Sequence, residues 1–255
     1  MNVNEVFRFV ATHAPRVTSP VIAYSVLFGD YDTLPRIPEV AGIDFILFTD
    51  CSAPRPPPWK VVFVDSKRYG PRRTGRYFKC LGHHLFPAVG KSVYLDASFM
   101  LLRPLDKFIS DYEGFRFGLF EHMRHFDISD EAQACIKQGK DAPAVIKDQV
   151  ARYRAEGLLN PSGCYATGVL MRDLSDPEVA EVNEAWCEEI ARGSVRDQIS
   201  LPYVFWKKAF LPDIFPGDVF YNRYLVPRPH AGASFQQRMR RSAALQAFRL
   251  GLLKR

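Results

Sequence analysis

The chain has 255 residues, 47% hydrophobic and 24% charged, the proportions of a globular protein long enough for one large domain or two small ones. It has no run of 18 apolar residues, which excludes a helical membrane span, and residues 1–10 lack the apolar core of a signal peptide. The net charge of +6 belongs to residues 238–255, where six basic residues meet no acidic one; the rest balances at 28 of each sign and has no basic stripe or aromatic motif for nucleic acid.

In chain order, residues 1–20 read as an N-terminal helical extension and 21–230 as one α/β domain. Residues 21–28 form a nearly continuous apolar run, as in a strand buried on both faces, and end in the turn Gly29-Asp30-Tyr31-Asp32. Strands follow at 44–49, ending in Asp50, and at 59–64, ending in Asp65, with Pro54, Pro56, Pro57 and Pro58 forcing an extended connector between them. Three strands that finish in acids predict one polar edge of a mostly parallel sheet. A helix over 74–86 leads to a strand at 93–95, and a further strand lies at 115–120. Helices are predicted at 129–139, opened by Ser129-Asp130, and at 143–156. A strand at 166–171 and helices at 177–192 and 196–208 complete a three-layer α/β/α domain. Residues 231–255 read as a basic amphipathic helix, which would lie on an anionic membrane surface or form a solvated or docked tail. Cys51, Cys80, Cys135, Cys164 and Cys187 have no metal-type pairing and suggest free thiols in a reducing, cytoplasmic setting.

The strand at 93–95 delivers Asp96, with Ser98 two residues on. Ligands of open α/β sheets sit at the carboxyl ends of strands, and oxygen ligands suit a divalent cation that holds a diphosphate. A strand ending in Asp is otherwise a turn or an N-cap. Arg76, Lys79 and His83 share one predicted helix face, which is either a solvated basic face or a diphosphate site. Thr167-Gly168 opens a strand where glycine permits close backbone approach to a ligand or simply makes a tight turn. Asp197-Gln198 starts a helix, with Asp197 as an N-cap or as an acceptor for hydroxyls. In Glu121-His122-Met123-Arg124-His125 the glutamate precedes both histidines, unlike a zinc-protease motif, so this segment reads as a polar wall or acceptor loop. His230 is a lone late histidine.

Taken together, Phe28-Gly29-Asp30-Tyr31-Asp32, Phe48-Thr49-Asp50, Arg76-x-x-Lys79, Tyr94-Leu95-Asp96-Ala97-Ser98, the segment 152–157, Thr167-Gly168-Val169-Leu170 and Arg196-Asp197-Gln198 resemble a known family over residues 21–222. It is the glycosyltransferase-like domain of plant mucilage and pollen-turgor proteins and their bacterial homologues, within the GT-A nucleotide-sugar transferase superfamily. The resemblance implies that Phe28, Gly29, Asp30, Tyr31 and Asp50 line the nucleotide pocket, that Lys79 and Arg76 meet the diphosphate, and that Asp96 holds the metal or the donor. It also implies that Thr167 and Gly168 belong to the donor site, that Asp197 grips sugar hydroxyls and that Gln198 sits beside the anomeric carbon. Asp96, Ser98 and His230 are the metal candidates for Mn²⁺ or Mg²⁺. Ser98 stands where related families carry a second aspartate, which leaves open both weak metal binding and metal-free donor binding.

The expected activity is hexosyl transfer from a nucleoside-diphosphate sugar, UDP-sugar favoured, to a hydroxyl of a glycan or lipid-linked acceptor in polysaccharide synthesis. The Asp197–Gln198 pair favours retention of configuration, and Asp197 is the first base candidate if the reaction inverts. Two alternatives are an inert carbohydrate-binding scaffold and a sugar nucleotidyltransferase, although the acidic turn after the first strand is unlike the basic loop of the latter.

Overall fold

The computed structural model describes residues 2–29, 31–52, 55–220 and 222–228. Helix α1 (Val3–Ala11) precedes the strands β1 (Val21–Leu27), β2 (Ile43–Thr49) and β3 (Lys60–Phe63). Helices α2 (Pro71–Cys80) and α3 (Gly82–Leu85) lead to β4 (Lys91–Leu95), β5 (Phe99–Leu101), α4 (Leu105–Asp111) and β6 (Phe117–Glu121). There follow α5 (Ile128–Lys137), α6 (Pro143–Ala155), β7 (Tyr165–Asp173), α7 (Pro177–Arg192), α8 (Asp197–Lys207), β8 (Asp213–Ile214) and β9 (Leu225–Pro227).

The main sheet has the order β3-β2-β1-β4-β7-β6-β8. All neighbours run parallel except at β7, which is antiparallel to both β4 and β6. The sheet is therefore mostly parallel, and the beginning of β7 lies at the same edge as the end of β4. A second sheet pairs β5 with β9.

Alternation along the strands divides the core between two faces. Ile22, Tyr24 and Val26 of β1, Phe48 of β2, Tyr94 of β4 and Leu170 of β7 pack under the layer formed by α1–α3 and α5–α8. Ala23 and Leu27, Phe45 and Leu47, Val93 and Leu95, and Val169 and Met171 face α4, the small sheet and their loops. Strand β3 is the exposed edge: Val61 and Phe63 remain solvent-facing because only β2 pairs with it.

The helix predicted over 74–86 divides in two, and the cause is Arg172. Fully buried on the helix face of β7, its guanidinium donates to the carbonyls of Cys80 (2.9 Å) and Lys79 (2.9 Å), the last of α2. A cation on these otherwise unpartnered carbonyls is favoured at a helix C-terminus. Gly82 allows the approach, since a Cβ there would stand 3.1 Å from the guanidinium and 3.0 Å from the Tyr24 hydroxyl. His83 consequently leaves the face of Arg76 and Lys79. Helix α5 begins one residue earlier than predicted and is capped by Asp127, whose carboxylate accepts from Ser129 N at 2.7 Å.

The five cysteines of the chain are free. No helix among the described residues is long and apolar enough to cross a membrane. Asp30, His230 and the basic tail at 231–255 lie outside the described residues.

Candidate active site

Four elements bring their polar ends to one edge of the sheet. Helix α2 supplies Arg76 and Lys79, β4 leads into Asp96, β7 supplies Thr167, and α8 opens with Asp197. Lys79 Nζ donates to Asp197 Oδ2 at 2.6 Å and to Thr167 Oγ1 at 3.1 Å, and the Thr167 hydroxyl donates in turn to the same carboxylate oxygen at 2.8 Å. Arg76 Nε lies 3.6 Å from Asp197 Oδ1 and donates to the carbonyl of Val195. Burial opposes the ionisation of Asp197, but Arg76, Lys79 and Arg196 outweigh it and hold the carboxyl far below the usual carboxylate range. Asp197 is thus the first residue of α8 without acting as its cap.

This buried knot opens outward through Asp96. Lys79 is 1% exposed and Asp96 39% exposed, and the two are 3.7 Å apart. Asp96 Oδ1 accepts the Tyr94 hydroxyl at 2.6 Å. Burial and then the Asp96 charge push the Tyr94 phenol well above its ordinary pKa, so it remains a donor. Tyr31 borders the opening at 59% exposure. Its phenol is raised by desolvation, then by the charge of Asp96, and is lowered by Arg76. The opening therefore has an exposed ring, a half-exposed carboxylate and, in Arg76, a partly accessible guanidinium.

Several of the expected site residues already have protein partners. Phe28 is buried, and its ring meets Phe78 at 5.7 Å between centroids. Asp50 is a tie between strand tips, accepting from Gly29 N at 2.8 Å and from the Ser66 hydroxyl at 2.6 Å. Gly29 itself has φ +78°. The space above Gly168 holds protein: a Cβ there would stand 2.7 Å from the Phe99 ring and 3.1 Å from Asp96 Oδ2. This glycine admits the close approach of Phe99 and Asp96. Lys79 is enclosed by Asp197 and Thr167, so Arg76 is the more accessible cation. Gln198 lies beside Asp197 with its amide held at both ends, accepting from Arg196 at 3.1 Å and donating to the carbonyl of Tyr165 at 3.2 Å.

For a divalent cation the local donors are few among the described residues. Asp96 offers one carboxylate, already bonded to Tyr94 and close to an ammonium, while Ser98 is buried with a neutral hydroxyl. This set fits Mg²⁺ or Mn²⁺ only in the manner in which one carboxylate shares the ion with substrate phosphates and water.

Residues 57–220, well over half the chain, match the family described as TOD1/MUCI70, glycosyltransferase-like domain. The chain belongs to this family. Over 163 residues it is 31% identical to the probable hexosyltransferase MUCI70 of Arabidopsis thaliana, a match that covers 57% of this chain and 27% of that protein. This chain thus spans about a quarter of that relative's length. Among solved structures, mouse xyloside xylosyltransferase 1 in its apo form aligns with 89% of this chain and 93% of its own, at TM-score 0.47 and 12% identity. The apo bifunctional glycosyltransferase WbbM aligns with 91% of this chain and 45% of its own, at TM-score 0.49 and 10% identity. The segment matched to the TOD1/MUCI70 family contains Arg76, Lys79, Asp96, Thr167 and Asp197, whereas Gly29, Tyr31 and Asp50 precede it.

Behind Asp197 the network continues into α5 and the segment 121–125. Arg196 reaches Glu131 Oε1 (3.4 Å) and accompanies Cys135, whose thiol donates to the same oxygen at 3.0 Å. His125 Nδ1 lies 2.7 Å from Glu131 Oε2, and the rings of His122 and His125 stack at 4.5 Å. His122 Nδ1 accepts backbone N–H groups of Arg124 and His125. The polar wall expected from 121–125 is thus tied through Glu131 and Arg196 to Gln198. The usable sequence signal was Glu131, an acid facing inward on α5. Tyr94 was equally legible, since strand periodicity puts it on the face that Asp96 continues.

Proposed function

We propose that this domain transfers a hexosyl group from a nucleoside-diphosphate sugar, UDP-sugar favoured, to a hydroxyl of a glycan or lipid-linked acceptor. The observation that carries this reading is the convergence of Asp96, Arg76, Lys79, Thr167 and Asp197 at one sheet edge in a member of a glycosyltransferase-like family. Tyr31 would offer its exposed ring to the base, and Arg76 would meet the diphosphate as charge develops on the leaving group. Asp96 Oδ2 would share Mn²⁺ or Mg²⁺ with the donor's phosphates, the ion supplying further neutralisation of that charge.

Lys79 and Asp197 would act as a rigid buried pair that fixes the positions of Arg76 and Asp96. A carboxylate held so far below its ordinary pKa is a weak base. Asp197 is therefore an electrostatic anchor in this reading and not the base of an inverting reaction, which leaves the pair Asp197–Gln198 on the side of retention. Catalysis would rest on positioning and on stabilisation of the departing diphosphate.

The test is release of nucleotide from UDP-, GDP- and CMP-sugars, with and without glycan acceptors and Mn²⁺. Turnover of one donor is expected, falling on the order of 100-fold in Asp96→Ala. Carbohydrate binding with no turnover of any donor would replace this reading by an inert scaffold. Pyrophosphate formation from a nucleoside triphosphate and a sugar phosphate would replace it by a nucleotidyltransferase.

A further inference from the structure

Two groups of histidines and a carboxylate occur among the described residues, and they differ in what already occupies them. In the group of His122, His125 and Glu131, both Nδ1 atoms and both carboxylate oxygens already have partners. His125 and Glu131 touch directly at 2.7 Å, Glu131 also serves Cys135 and Arg196, and backbone N–H groups fill His122 Nδ1. These contacts tie that group into a hydrogen-bonded network.

The group of His83, His84 and Glu184 is less engaged, with one internal hydrogen bond between His84 Nε2 and Glu184 Oε1. Glu184 Oε1 lies 3.5 Å from His83 Nε2 and 3.1 Å from His84 Nε2, and the three ligand atoms lie within 4.8 Å of one another. Ligand atoms around a tetrahedral zinc ion, with bonds of 2.0–2.1 Å, are about 3.3 Å apart. His83 Nε2 is buried and has no hydrogen-bond partner, which is costly for a polar atom. On its other side, His83 Nδ1 is 3.5 Å from the Asn183 amide nitrogen, at the outer limit of a hydrogen bond and too long to fix which ring nitrogen carries the proton. The His84 ring is held by stacking on Phe7 at 5.2 Å. Glu184 is 41% exposed and provides a path for the ion and for a water in the fourth position.

We propose that His83, His84 and Glu184 bind a divalent cation of the zinc class, which staples α3 to α7. Two imidazoles and one carboxylate with an open fourth position are a recurrent zinc ligand set. The break between α2 and α3 enforced by Arg172 presents two consecutive histidines to α7, and no residue of the cleft takes part. The guanidinium of Arg172, bonded to Asn183 at 2.7 Å, lies behind the site; its charge opposes the ion, and the Glu184 carboxylate offsets it.

The test uses the full chain, stripped with a chelator and titrated with zinc chloride alone. The expected result is one equivalent bound, with a zinc absorption-edge signature of two imidazoles and a rise in melting temperature. Glu184→Gln, a partly exposed substitution that spares folding, is expected to weaken zinc binding by more than about 100-fold, beyond the effect of an outer partner. His84→Ala should do the same, and His122→Ala should leave binding intact. Absence of stoichiometric zinc, retention of affinity in both Glu184→Gln and His84→Ala, or its loss in His122→Ala would overturn the proposal.

Discussion

Lys79 and Arg172 meet at the same end of α2, each withdrawn from solvent, and each is satisfied differently. Arg172 donates to neutral groups: two helix carbonyls, the Tyr24 hydroxyl and the Asn183 amide oxygen. Tyr24 stays protonated, its pKa raised to about 12 by burial despite Arg172, and its hydroxyl donates to the Lys79 carbonyl at 3.0 Å. The side chain of Lys79 instead meets a carboxylate at 2.6 Å, with a second carboxylate at 3.7 Å that reaches solvent. A buried cation among carbonyls shapes the chain. A buried cation between carboxylates at an opening sets the field that a ligand would meet.

The contrast breaks first at Arg172. Arg172→Met would leave the Cys80 carbonyl and the Asn183 amide oxygen without their donor inside the core, while Tyr24 still serves the Lys79 carbonyl, and a loss of about 2–5 kcal/mol in urea unfolding is expected. A loss below about 1 kcal/mol would show that the clamp is not what ends α2. Lys79→Met removes the main partner of Asp197 while leaving Arg76, and about 3 kcal/mol is expected. Adding Asp197→Asn should recover part of that stability but none of the nucleotide release, which separates folding from function at this pair.

Asp127 sharpens the comparison from the anion side. Burial raises its pKa, but the N–H groups of Ser129 and Ser162 and then Arg154 lower it to about 2 from an ordinary 3.8. Because the folded value is the lower one, its stabilisation is complete above about pH 4 and is lost as the pH falls towards 2. Asp127→Asn should cost about 2 kcal/mol at pH 7 and flatten this part of the acid limb. Asp96, half-exposed at the opening, is the counterpart. Asp96→Asn should change stability by less than about 0.5 kcal/mol while nucleotide release falls steeply.

The parallel half of the sheet was readable because buried strands are continuous apolar runs, as in 21–28 and 44–49. The division of the 74–86 helix was not, since its cause lies 92 and 93 residues along the chain. Strands β5 and β9, of three residues each, carry too little pattern to be called from periodicity. At the site, residue types and spacing singled out Lys79, Asp96 and Asp197, which the fold brings together. Pattern alone could not show that Asp197 encloses Lys79, that Asp50 ties strand tips, or that the Phe99 ring fills the space above Gly168.

Under the proposed function, the edge marked by Asp96, Arg76 and Tyr31 would hold an activated sugar's diphosphate. Calorimetric titration with UDP, GDP and CMP, with and without Mn²⁺, tests it most directly. One nucleoside diphosphate should bind at one site per chain, with binding lost in Arg76→Met and unchanged in Glu184→Gln. No binding by any of them, or full retention of it in Arg76→Met, would contradict the account.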